Sequence, residues 1–510
     1  MIYTVSRMKN TQQQDIGVFI KNLREHRGLT QGEFAKALGT SQSAVARMEK
    51  GEQNFGTDIL IKISTVLDHK VVCINESTDF VINGGKKLHG TIQTNFSKNG
   101  AVGLLCASLI NKGVTTLHGI TQIEEVKRII EVLESIGVNI KWKDKNTVII
   151  TPPKKFNLSK LNAESALKTR SIAMFIGPLI HYLPSFKLPH AKGCKLGKRT
   201  ISGYTYPLED MGVKVKITTD KYEISSEKLK PVEIVMYESG DTATENTLTA
   251  ASLIEGETKI SFASANYQVQ EVCFFLEALG VKIDGIGTHS LTVHGVKEIN
   301  KNIEYWNSED PIEAMTFLTA GIVTKSHLIV TRAPINFLAL ELEKLRRMNL
   351  KFKVSKKYLS YNKHTQLVDI EVFPSELVAP EDKIHSNPYP GINMDNLPFF
   401  AIIAVFAKGT TMIHDWTYEN RAIYLTELNR LGANIVLADP HRLYVQGGNT
   451  SLRGAQIICP PALRPAVVIL IAMLASEGQS VLRNVYMISR GYEDIVNRLN
   501  SIGADIKVLD

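Results

Sequence analysis

The stretch LESIGVNI, residues 133–140, contains the pattern that decides the fold of most of this chain. Its order is Leu, two variable residues, an apolar residue, Gly, and then apolar residues in alternation. The pattern recurs at intervals of about 70 to 80 residues, which indicates an internal repeat. The further copies begin at Leu208, Leu276, Leu345, Leu428 and Leu499. Each copy predicts the end of an amphipathic helix, a left-handed cap and the start of a strand.

The fourth copy, LRRMNLKF, has Asn349 where the other copies have Gly. Asn is the residue that best replaces Gly in the left-handed conformation, so the same cap is expected. A nearly wholly apolar segment precedes every copy and predicts a helix that is buried on all sides. These segments are residues 101–110, 171–180, 246–254, 312–323, 398–407 and 465–475.

The six units predict an α/β architecture in which sheets cover the buried helices. Six units of about 70 residues are too many for one core, so two lobes of three units are expected. We place lobe one at about residues 95–300. Lobe two then contains residues 301–510 and the segment 78–94, and the whole region covers residues 76–510.

Residues 1–75 predict a separate, small helical module. A helix over residues 31–38 ends at Gly39, and Ser41 caps a second helix that ends at Gly51. Two short helices joined by a Gly turn form the helix-turn-helix arrangement. An apolar helix that begins with Val18, Ile20 and Leu23 and stops near Gly28 precedes this pair, and another helix over residues 59–67 follows it.

This module resembles the Cro/C1-type (XRE) helix-turn-helix family over residues 15–70. The resemblance implies a second helix that enters the major groove of double-stranded DNA, where Gln42, Ser43 and Arg47 reach base edges and Gln31 contacts phosphate. Such modules usually pair on two half-sites, so a homodimer is expected. The alternative is a docking or dimerisation module without DNA binding, because the excess of basic residues is small.

The composition excludes several broad classes of protein. Of the 510 residues, 44% are hydrophobic and 22% are charged, which is typical of a globular protein and excludes disordered or fibrous chains. The five cysteines form no C-x-x-C pair, which favours a reducing cytoplasm over a disulfide scaffold. No apolar run approaches the roughly 20 residues of a membrane helix, so no membrane partner is expected.

Chemistry-bearing residues occur in motifs that are scattered among the six units. A cation beside the N–H groups of a helix start forms a site for anions. Cations beside a cysteine favour its thiolate form. Guanidinium groups are suited to binding carboxylate and phosphate. The motifs are Ser-Lys-Asn at residues 97–99, a Gly- and Lys-rich loop at 188–199 around Cys194, Pro-Tyr-Pro-Gly-Ile-Asn-Met-Asp at 388–395, Glu-Asn-Arg at 419–421, Leu-Arg at 463–464 and Arg-Gly-Tyr-Glu at 490–493.

With the six-unit layout, these motifs resemble the enolpyruvyl transferase (EPSP synthase-like) family over residues 80–510, and within it the branch that acts on UDP-N-acetylglucosamine. The resemblance implies a two-lobed, inside-out α/β barrel with the active site between the lobes. It also implies addition–elimination, in which the enolpyruvyl group of phosphoenolpyruvate (PEP) passes to the sugar 3'-hydroxyl and phosphate leaves, a step of peptidoglycan precursor synthesis. No cofactor or metal is implied, and no His/Cys cluster has metal-ligand spacing.

The resemblance also implies roles for individual residues. Cys194 is the expected general acid, Asp395 the base for the sugar hydroxyl and Lys98 the cation that grips PEP, whose carboxylate Arg490 binds. The full set of expected substrate-binding residues is Asn99, Arg170, Arg199, Thr200, Ile201, Ser202, Gly203, Thr417, Arg421, Arg464 and Arg490.

The chain departs from the family where the nucleotide and lobe closure are handled. Residues 200–204 read TISGY where the family usually has P-x-D-x-H. Residues 240–246 and 264–268 also differ from the family's motifs at these positions, and Ala462 stands where the family usually has an acidic residue. Two alternatives therefore stay open. One keeps the chemistry and changes the acceptor to another nucleotide or sugar, and the other is a transcriptional regulator that uses the transferase region as a ligand sensor.

Overall fold

The computed structural model describes residues 17–18, 20–21, 24–25, 27, 29–52, 56–67, 78–189, 202–448 and 450–509. The chain forms two compact units, Met1–Ser77 and Thr78–Asp510. Four residues of the predicted site, Cys194, Arg199, Thr200 and Ile201, lie outside the described residues, as does Leu23. Among the described residues, no helix combines the length and the apolarity that a bilayer crossing requires.

The N-terminal unit contains the predicted pair of short helices, Gln31–Leu38 and Gln42–Lys50, followed by Thr57–Val66. The Ser41 hydroxyl accepts a hydrogen bond from the Ala44 N–H at 3.2 Å and so caps the second helix. Gly39 and Gly51 adopt φ of 69° and 70°, the left-handed conformation in which helices commonly end. The helix-turn-helix predicted from the glycine spacing is therefore confirmed.

One apolar cluster forms the core of this unit. Its buried members include Ile20, Phe34, Ala35, Leu38, Val45, Met48, Ile63 and Leu67. Val18 lies outside this core, because 53% of its surface is exposed. Gly17 takes the inner position instead, where a Cβ atom would lie 2.5 Å from the Met48 carbonyl oxygen, so the backbone packs too closely for any side chain.

In the described part of the larger unit, three sheets belong to lobe one and three belong to lobe two. In lobe one, the first sheet contains, in spatial order, Ile303–Trp306, Thr115–His118, Thr147–Thr151 and Asn139–Trp142. The second sheet contains Ser185–Pro189, Lys221–Ser226 and Val213–Ile217. The third sheet contains Lys282–Asp284, Ser290–Gly295, Gly256–Ser261 and Glu233–Val235. In lobe two, the first sheet contains, in spatial order, Lys351–Val354, Gln366–Phe373, His327–Pro334 and His89–Gln93, and Tyr358–Leu359 also pairs with Gln366–Phe373. The second sheet contains Ile384–His385, Gly409–His414, Arg442–Gly447 and Asn434–Asp439. The third sheet contains Gln456–Ile458, Gly478–Arg483, Asp79–Gly84 and Ile506–Leu509.

Each sheet covers a buried helix, as the apolar segments predicted. These helices are Lys98–Ala107, Ile176–Leu179 after the 3-10 turn Arg170–Phe175, Asp241–Ala251, Pro311–Val323, Leu397–Val405 and Leu463–Ala475. The amphipathic partners are Glu124–Ser135, Ser202–Asp210, Tyr267–Leu279, Ala339–Arg347, Ala422–Leu425 with the 3-10 turn Thr426–Leu431, and Ile495–Ser501. Every residue of Pro311–Val323 is buried, which is why this helix has no polar face.

The six predicted caps are all left-handed. The φ angles are 104° at Gly137, 103° at Gly212, 101° at Gly280, 67° at Asn349, 100° at Gly432 and 100° at Gly503. Asn349 therefore takes the place of Gly in the fourth unit, as the pattern predicted. Its side-chain amide also donates to the Glu376 carbonyl at 2.9 Å, which holds the cap in place.

Two antiparallel crossover segments join the lobes. The Ser97 N–H donates to the Ser308 carbonyl at 2.7 Å, and the Asp310 N–H donates to the Asn95 carbonyl at 2.8 Å. Lobe one is thus inserted between two parts of lobe two. It extends beyond the expected residue 300, because Ile303–Trp306 pairs in parallel with Thr115–His118 of lobe one. Each lobe has an apolar core of its own.

A turn of lobe two, residues 360–365, packs against lobe one close to these crossovers. The Asn362 amide donates to the Glu271 carboxylate at 3.0 Å, and the Tyr305 hydroxyl donates to its other oxygen at 2.9 Å. The His364 ring stacks on Phe274 with centroids 4.0 Å apart. The lobes are therefore tied together by polar and aromatic contacts as well as by the chain itself.

Candidate active site

A cleft lies between the lobes. Lobe one contributes Lys98 and Glu125, and lobe two contributes the remaining lining residues. Five of the residues predicted for the site line this cleft together: Lys98, Asp395, Arg421, Arg464 and Arg490. Lys98 is about 300 to 400 residues from the other four, which lie in lobe two, so only the fold brings the five together.

Lys98 is positioned by the start of a buried helix. The Ser97 hydroxyl accepts from the Gly100 N–H at 2.9 Å and caps the helix Lys98–Ala107, of which Lys98 is the first residue. Burial lowers the pKa of Lys98, although Glu125 and Asp395 favour its charged form. An ammonium group at the positive end of a helix dipole is suited to an anionic ligand.

Asp395 lies between two guanidinium groups. The Arg464 Nε donates to its Oδ2 at 3.0 Å, and the Arg421 Nη1 lies 3.9 Å from its Oδ1. Burial acts to raise the pKa of Asp395, but the charges of Arg464 and Arg421 outweigh it and hold the pKa below its ordinary value. The group is therefore an ionised carboxylate at neutral pH, which is the state a base requires.

The guanidinium groups themselves are held rigidly. Arg421 is 1% exposed and forms a bidentate pair with Asp415, at 2.5 and 2.8 Å. Its guanidinium carbon lies 4.1 Å from the centre of the Tyr418 ring. Arg464 donates through Nη1 to the Tyr492 hydroxyl at 2.9 Å. Fixed donors of this kind are the means by which proteins stabilise developing negative charge.

One ion pair crosses the cleft. The Arg490 Nη2 lies 2.8 Å from the Glu125 Oε2, and the Thr169 hydroxyl donates to the other Glu125 oxygen at 2.7 Å. Burial acts to raise the pKa of Glu125, yet the charges of Lys98 and Arg490 prevail and lower it. The pair bridges the lobes next to Lys98 and so brings the two walls of the cleft together.

The charge of the cleft is positive. Among the described residues that line it, four are Lys or Arg and two are carboxylates, Glu125 and Asp395. Buried cations in excess of carboxylates attract anionic ligands into a cleft. The arrangement can therefore bind an anion, stabilise negative charge and accept a proton at Asp395.

Other predicted residues lie outside the set that lines this cleft. The Asn99 amide donates to the Tyr267 hydroxyl at 3.0 Å and to the Gln268 Oε1 at 3.1 Å. The Thr417 and Ser386 hydroxyl oxygens are 3.1 Å apart. Arg170 begins a 3-10 turn, and Ser202 and Gly203 begin the helix Ser202–Asp210. The roles assigned to these five residues stay predictions, as do those of the four residues outside the described ranges.

Sequence reasoning missed several residues of the site. Glu125 and Asp415 hold two of its arginines, and Tyr492 holds a third. The signal for Glu125 was an acidic pair at the first turn of an amphipathic helix, which ordinarily complements the helix dipole. Asp415 gave no such signal, because it lies outside the Glu-Asn-Arg motif that contains its partner Arg421.

The predicted DNA-reading face lies on the helix Gln42–Lys50. Gln42, Ser43 and Arg47 are exposed on it. Gln31 is half-buried, and its amide donates to the Glu49 Oε2 at 2.8 Å. Glu49 also forms a buried ion pair with Arg24 at 2.5 Å, which the sequence did not predict. The roles of these residues in DNA contact stay predictions.

Comparisons with known proteins divide the chain in the same way. Residues 82–499 match the family model described as EPSP synthase (3-phosphoshikimate 1-carboxyvinyltransferase). Residues 20–70 match a helix-turn-helix model. The two matches fall in the two structural units described above.

Curated relatives cover the larger unit. The chain is 32% identical to a UDP-N-acetylglucosamine 1-carboxyvinyltransferase of Treponema denticola over 432 residues, which is 84% of this chain and 99% of the relative. It is also 32% identical to the protein of that name from Campylobacter fetus subsp. fetus over 434 residues, which is 84% of this chain and 98% of the relative.

Solved structures share the fold. The enolpyruvyl transferase NikO from Streptomyces tendae superposes with a TM-score of 0.73 at 22% identity, over 85% of this chain and 99% of that one. An EPSP synthase from Acinetobacter baumannii superposes with a TM-score of 0.67 at 18% identity, over 85% of this chain and all of that one.

Proposed function

The chain belongs to the EPSP synthase family of enolpyruvyl transferases, and from this premise we propose that it transfers the enolpyruvyl group of PEP to the 3'-hydroxyl of UDP-N-acetylglucosamine and releases phosphate. The observation that carries the proposal is the convergence of Lys98, Asp395, Arg421, Arg464 and Arg490 on one cleft between the lobes. The names of the relatives that span the larger unit support this acceptor.

The proposed reaction has two steps. In the addition, Asp395 takes the proton of the acceptor hydroxyl, whose oxygen bonds to C2 of PEP, while Cys194 gives a proton to the methylene carbon C3. The product is a tetrahedral ketal that still carries phosphate. In the elimination, the Cys194 thiolate takes a proton back from C3, the electron pair of that C–H bond forms the C2–C3 double bond, and the bond between C2 and the phosphate oxygen breaks. The enol ether and phosphate then leave. The cations of the cleft bind the carboxylate and phosphate of PEP throughout.

Phosphate release is the direct test. It should require both PEP and UDP-N-acetylglucosamine, and it should collapse in Cys194→Ala, because this variant lacks the proposed acid. Mass spectrometry of the product should show the enolpyruvyl adduct of the acceptor. If neither UDP-N-acetylglucosamine nor any member of a panel of nucleotides releases phosphate from PEP, the proposal fails.

A second candidate keeps this chemistry and uses another nucleotide or sugar as acceptor. The altered segment TISGY, residues 200–204, favours it, because the acid and the imidazole usual in the family are both missing. A screen of acceptors with PEP held constant separates the two candidates. Tight calorimetric binding of UDP-N-acetylglucosamine would argue against this one.

For the N-terminal unit, we propose binding to double-stranded DNA as a homodimer. The exposure of Gln42, Ser43 and Arg47 on one capped helix supports this assignment. A mobility shift on selected DNA tests it, and Arg47→Ala should weaken the complex.

If the unit also serves a ligand sensor, linkage requires PEP or the nucleotide sugar to change the DNA affinity. A shift insensitive to both ligands would contradict the sensor role.

A further inference from the structure

The buried helix Pro311–Val323 contains two threonines, Thr316 and Thr319, which are at most 1% exposed. Each hydroxyl donates to the backbone carbonyl four residues earlier, Thr316 to Ile312 at 2.8 Å and Thr319 to Met315 at 2.7 Å. A helix can satisfy the proton of a buried threonine in this way without any further partner. Thr316 nevertheless has a second polar contact, which leads towards the cleft.

The second contact of Thr316 is the hydroxyl of Tyr492, whose oxygen lies 2.7 Å from the Thr316 Oγ1. A threonine hydroxyl has one proton, and the Ile312 carbonyl oxygen can only accept. Since the proton of Thr316 is used on Ile312, the hydroxyl of Tyr492 must donate to Thr316. Burial raises the pKa of Tyr492 to about 12, so its hydroxyl keeps the proton at neutral pH.

The Tyr492 oxygen is then left with lone pairs, and it meets a guanidinium group. The Arg464 Nη1 donates to it at 2.9 Å, while the Arg464 Nε donates to the Asp395 Oδ2 at 3.0 Å. An arginine has no acceptor atom, so every bond in this series has one possible direction. The donors run from Arg464 through Tyr492 and Thr316 to the Ile312 carbonyl, and another edge of the same guanidinium faces Asp395.

Tyr492 and Thr316 act on the cleft only through Arg464. Neither is among the described residues that line the cleft, and Tyr492 is 3% exposed. A long side chain has many rotamers, and fixing it in one of them costs conformational entropy. A second anchor away from the carboxylate therefore limits the orientations that Arg464 can take beside Asp395.

We propose that Thr316 and Tyr492 are positioning residues for Asp395, because their one-way series of hydrogen bonds fixes Arg464 in the orientation that keeps this carboxylate ionised for the acceptor hydroxyl. The inference rests on the proposed function, in which Asp395 is the base. Among the described residues, the charged and titratable groups that face Asp395 are Lys98, Asp241, Tyr267, Arg421 and Arg464. Of these groups, Arg464 is the one that the series holds.

Thr316→Val tests the inference, because it removes the hydroxyl and keeps the shape of the side chain. Tyr492 then loses its acceptor, and its proton can turn towards Arg464 and loosen the contact with Asp395. Phosphate release at neutral pH should fall about fivefold, the effect of one hydrogen bond. A guanidinium that is held less firmly lowers the pKa of Asp395 by less, so the acid limb of the kcat/KM profile should move to higher pH.

Two further variants show whether the hydroxyl itself matters. Thr316→Ser restores the hydroxyl and should recover most of the rate and the wild-type pH profile. Thr319→Val is the matched control, since it removes an equally buried hydroxyl from the same helix, one that donates to Met315. It should leave the rate and the pH profile unchanged. If Thr319→Val loses as much activity as Thr316→Val, or if Thr316→Ser recovers none, the inference is wrong.

A measurement without turnover separates the inference from the function on which it rests. Carboxyl NMR of the full chain labelled with 13C-aspartate follows the titration of Asp395, and Asp395→Asn assigns its signal. Thr316→Val should raise the pKa of Asp395, and Thr316→Ser should return it to the wild-type value. If Thr316→Val does not fold, Tyr492→Phe replaces it, with a loss of rate of about tenfold because a bond to a charged group is removed.

The NMR titration decides between the possible outcomes. A pKa of Asp395 that stays the same in both Thr316→Val and Tyr492→Phe would overturn the inference, whatever the activity. A pKa that moves as expected, in a chain whose wild type releases no phosphate from PEP, would contradict only the proposed function.

Discussion

At the scale of single residues, the cleft is built from charges that hold one another in position. Asp395 bridges Arg464 and Arg421, while Arg490 is paired with Glu125 of the other lobe. Because each group is fixed by a partner, little reorganisation is needed when PEP enters. Under the proposed function, the carboxylate of PEP would share Arg490 with Glu125 and would compete with this ion pair.

Asp395→Asn should reduce the rate of phosphate release by about 10²- to 10⁴-fold, which is the usual contribution of a general base. The amide cannot accept the hydroxyl proton, but it preserves the size of the side chain. PEP binding, measured by calorimetry, should be retained or strengthened, because a negative charge beside the anion is removed. Asp220→Asn, at an exposed turn of lobe one, is the control and should not change the rate. A variant that keeps the wild-type rate would exclude Asp395 as the base.

The residues that sequence reasoning found and those that it missed differ in a physical way. Lys98 and Asp395 lie in local motifs that can be read from neighbouring letters. Glu125 acquires its role from a partner in the other lobe, Arg490. No local pattern contains such a pairing, so only the folded chain reveals it.

At the scale of elements, the repeat could be predicted almost completely. A helix end, a left-handed cap and a strand are local structures, so eight consecutive residues suffice to specify them. The pairing of strands into sheets could not be predicted in this way. For example, Asp79–Gly84 pairs with Gly478–Arg483, about 400 positions along the chain, through contacts that depend on the whole of lobe two.

Asn349 tests the importance of the caps. Asn349→Ala should lower the free energy of unfolding by about 1–2 kcal/mol, because a Cβ-bearing residue without a local hydrogen bond is strained at a φ of 67°. Asn349→Gly should have a smaller effect, since Gly accepts this φ and loses only the bond to the Glu376 carbonyl. Urea unfolding of both variants provides the measurement. Equal stabilities of the Ala and Gly variants would contradict the role of the cap.

At the scale of the whole molecule, the contact between the turn 360–365 and lobe one should depend on pH. Burial raises the pKa of Glu271 to about 8, far above its value in an unfolded chain. Between pH 4.5 and 8 the folded chain therefore keeps a proton on Glu271 that the unfolded chain has lost. The resulting contribution to the free energy of unfolding is complete below pH 4.5 and is lost as the pH rises to 8.

Glu271→Gln, which cannot titrate, isolates this effect. Relative to the variant, the wild-type chain should lose on the order of 3 kcal/mol of unfolding free energy between pH 5.5 and 8.5. Urea unfolding at the two pH values gives this difference directly, with other titrating groups cancelling between the two proteins. A difference that is the same at both pH values would show that Glu271 is already ionised in the folded chain.

The insertion of lobe one within lobe two also sets the order in which the chain can fold during synthesis. Strand Asp79–Gly84 is made early, yet both of its neighbours, Gly478–Arg483 and Ile506–Leu509, leave the ribosome more than 390 residues later. The helix-turn-helix unit and lobe one have cores made only of residues already translated, so each can form while lobe two is still open. Nascent chains would then present the folded helix-turn-helix, for which we propose DNA binding, well before the cleft between the lobes is complete.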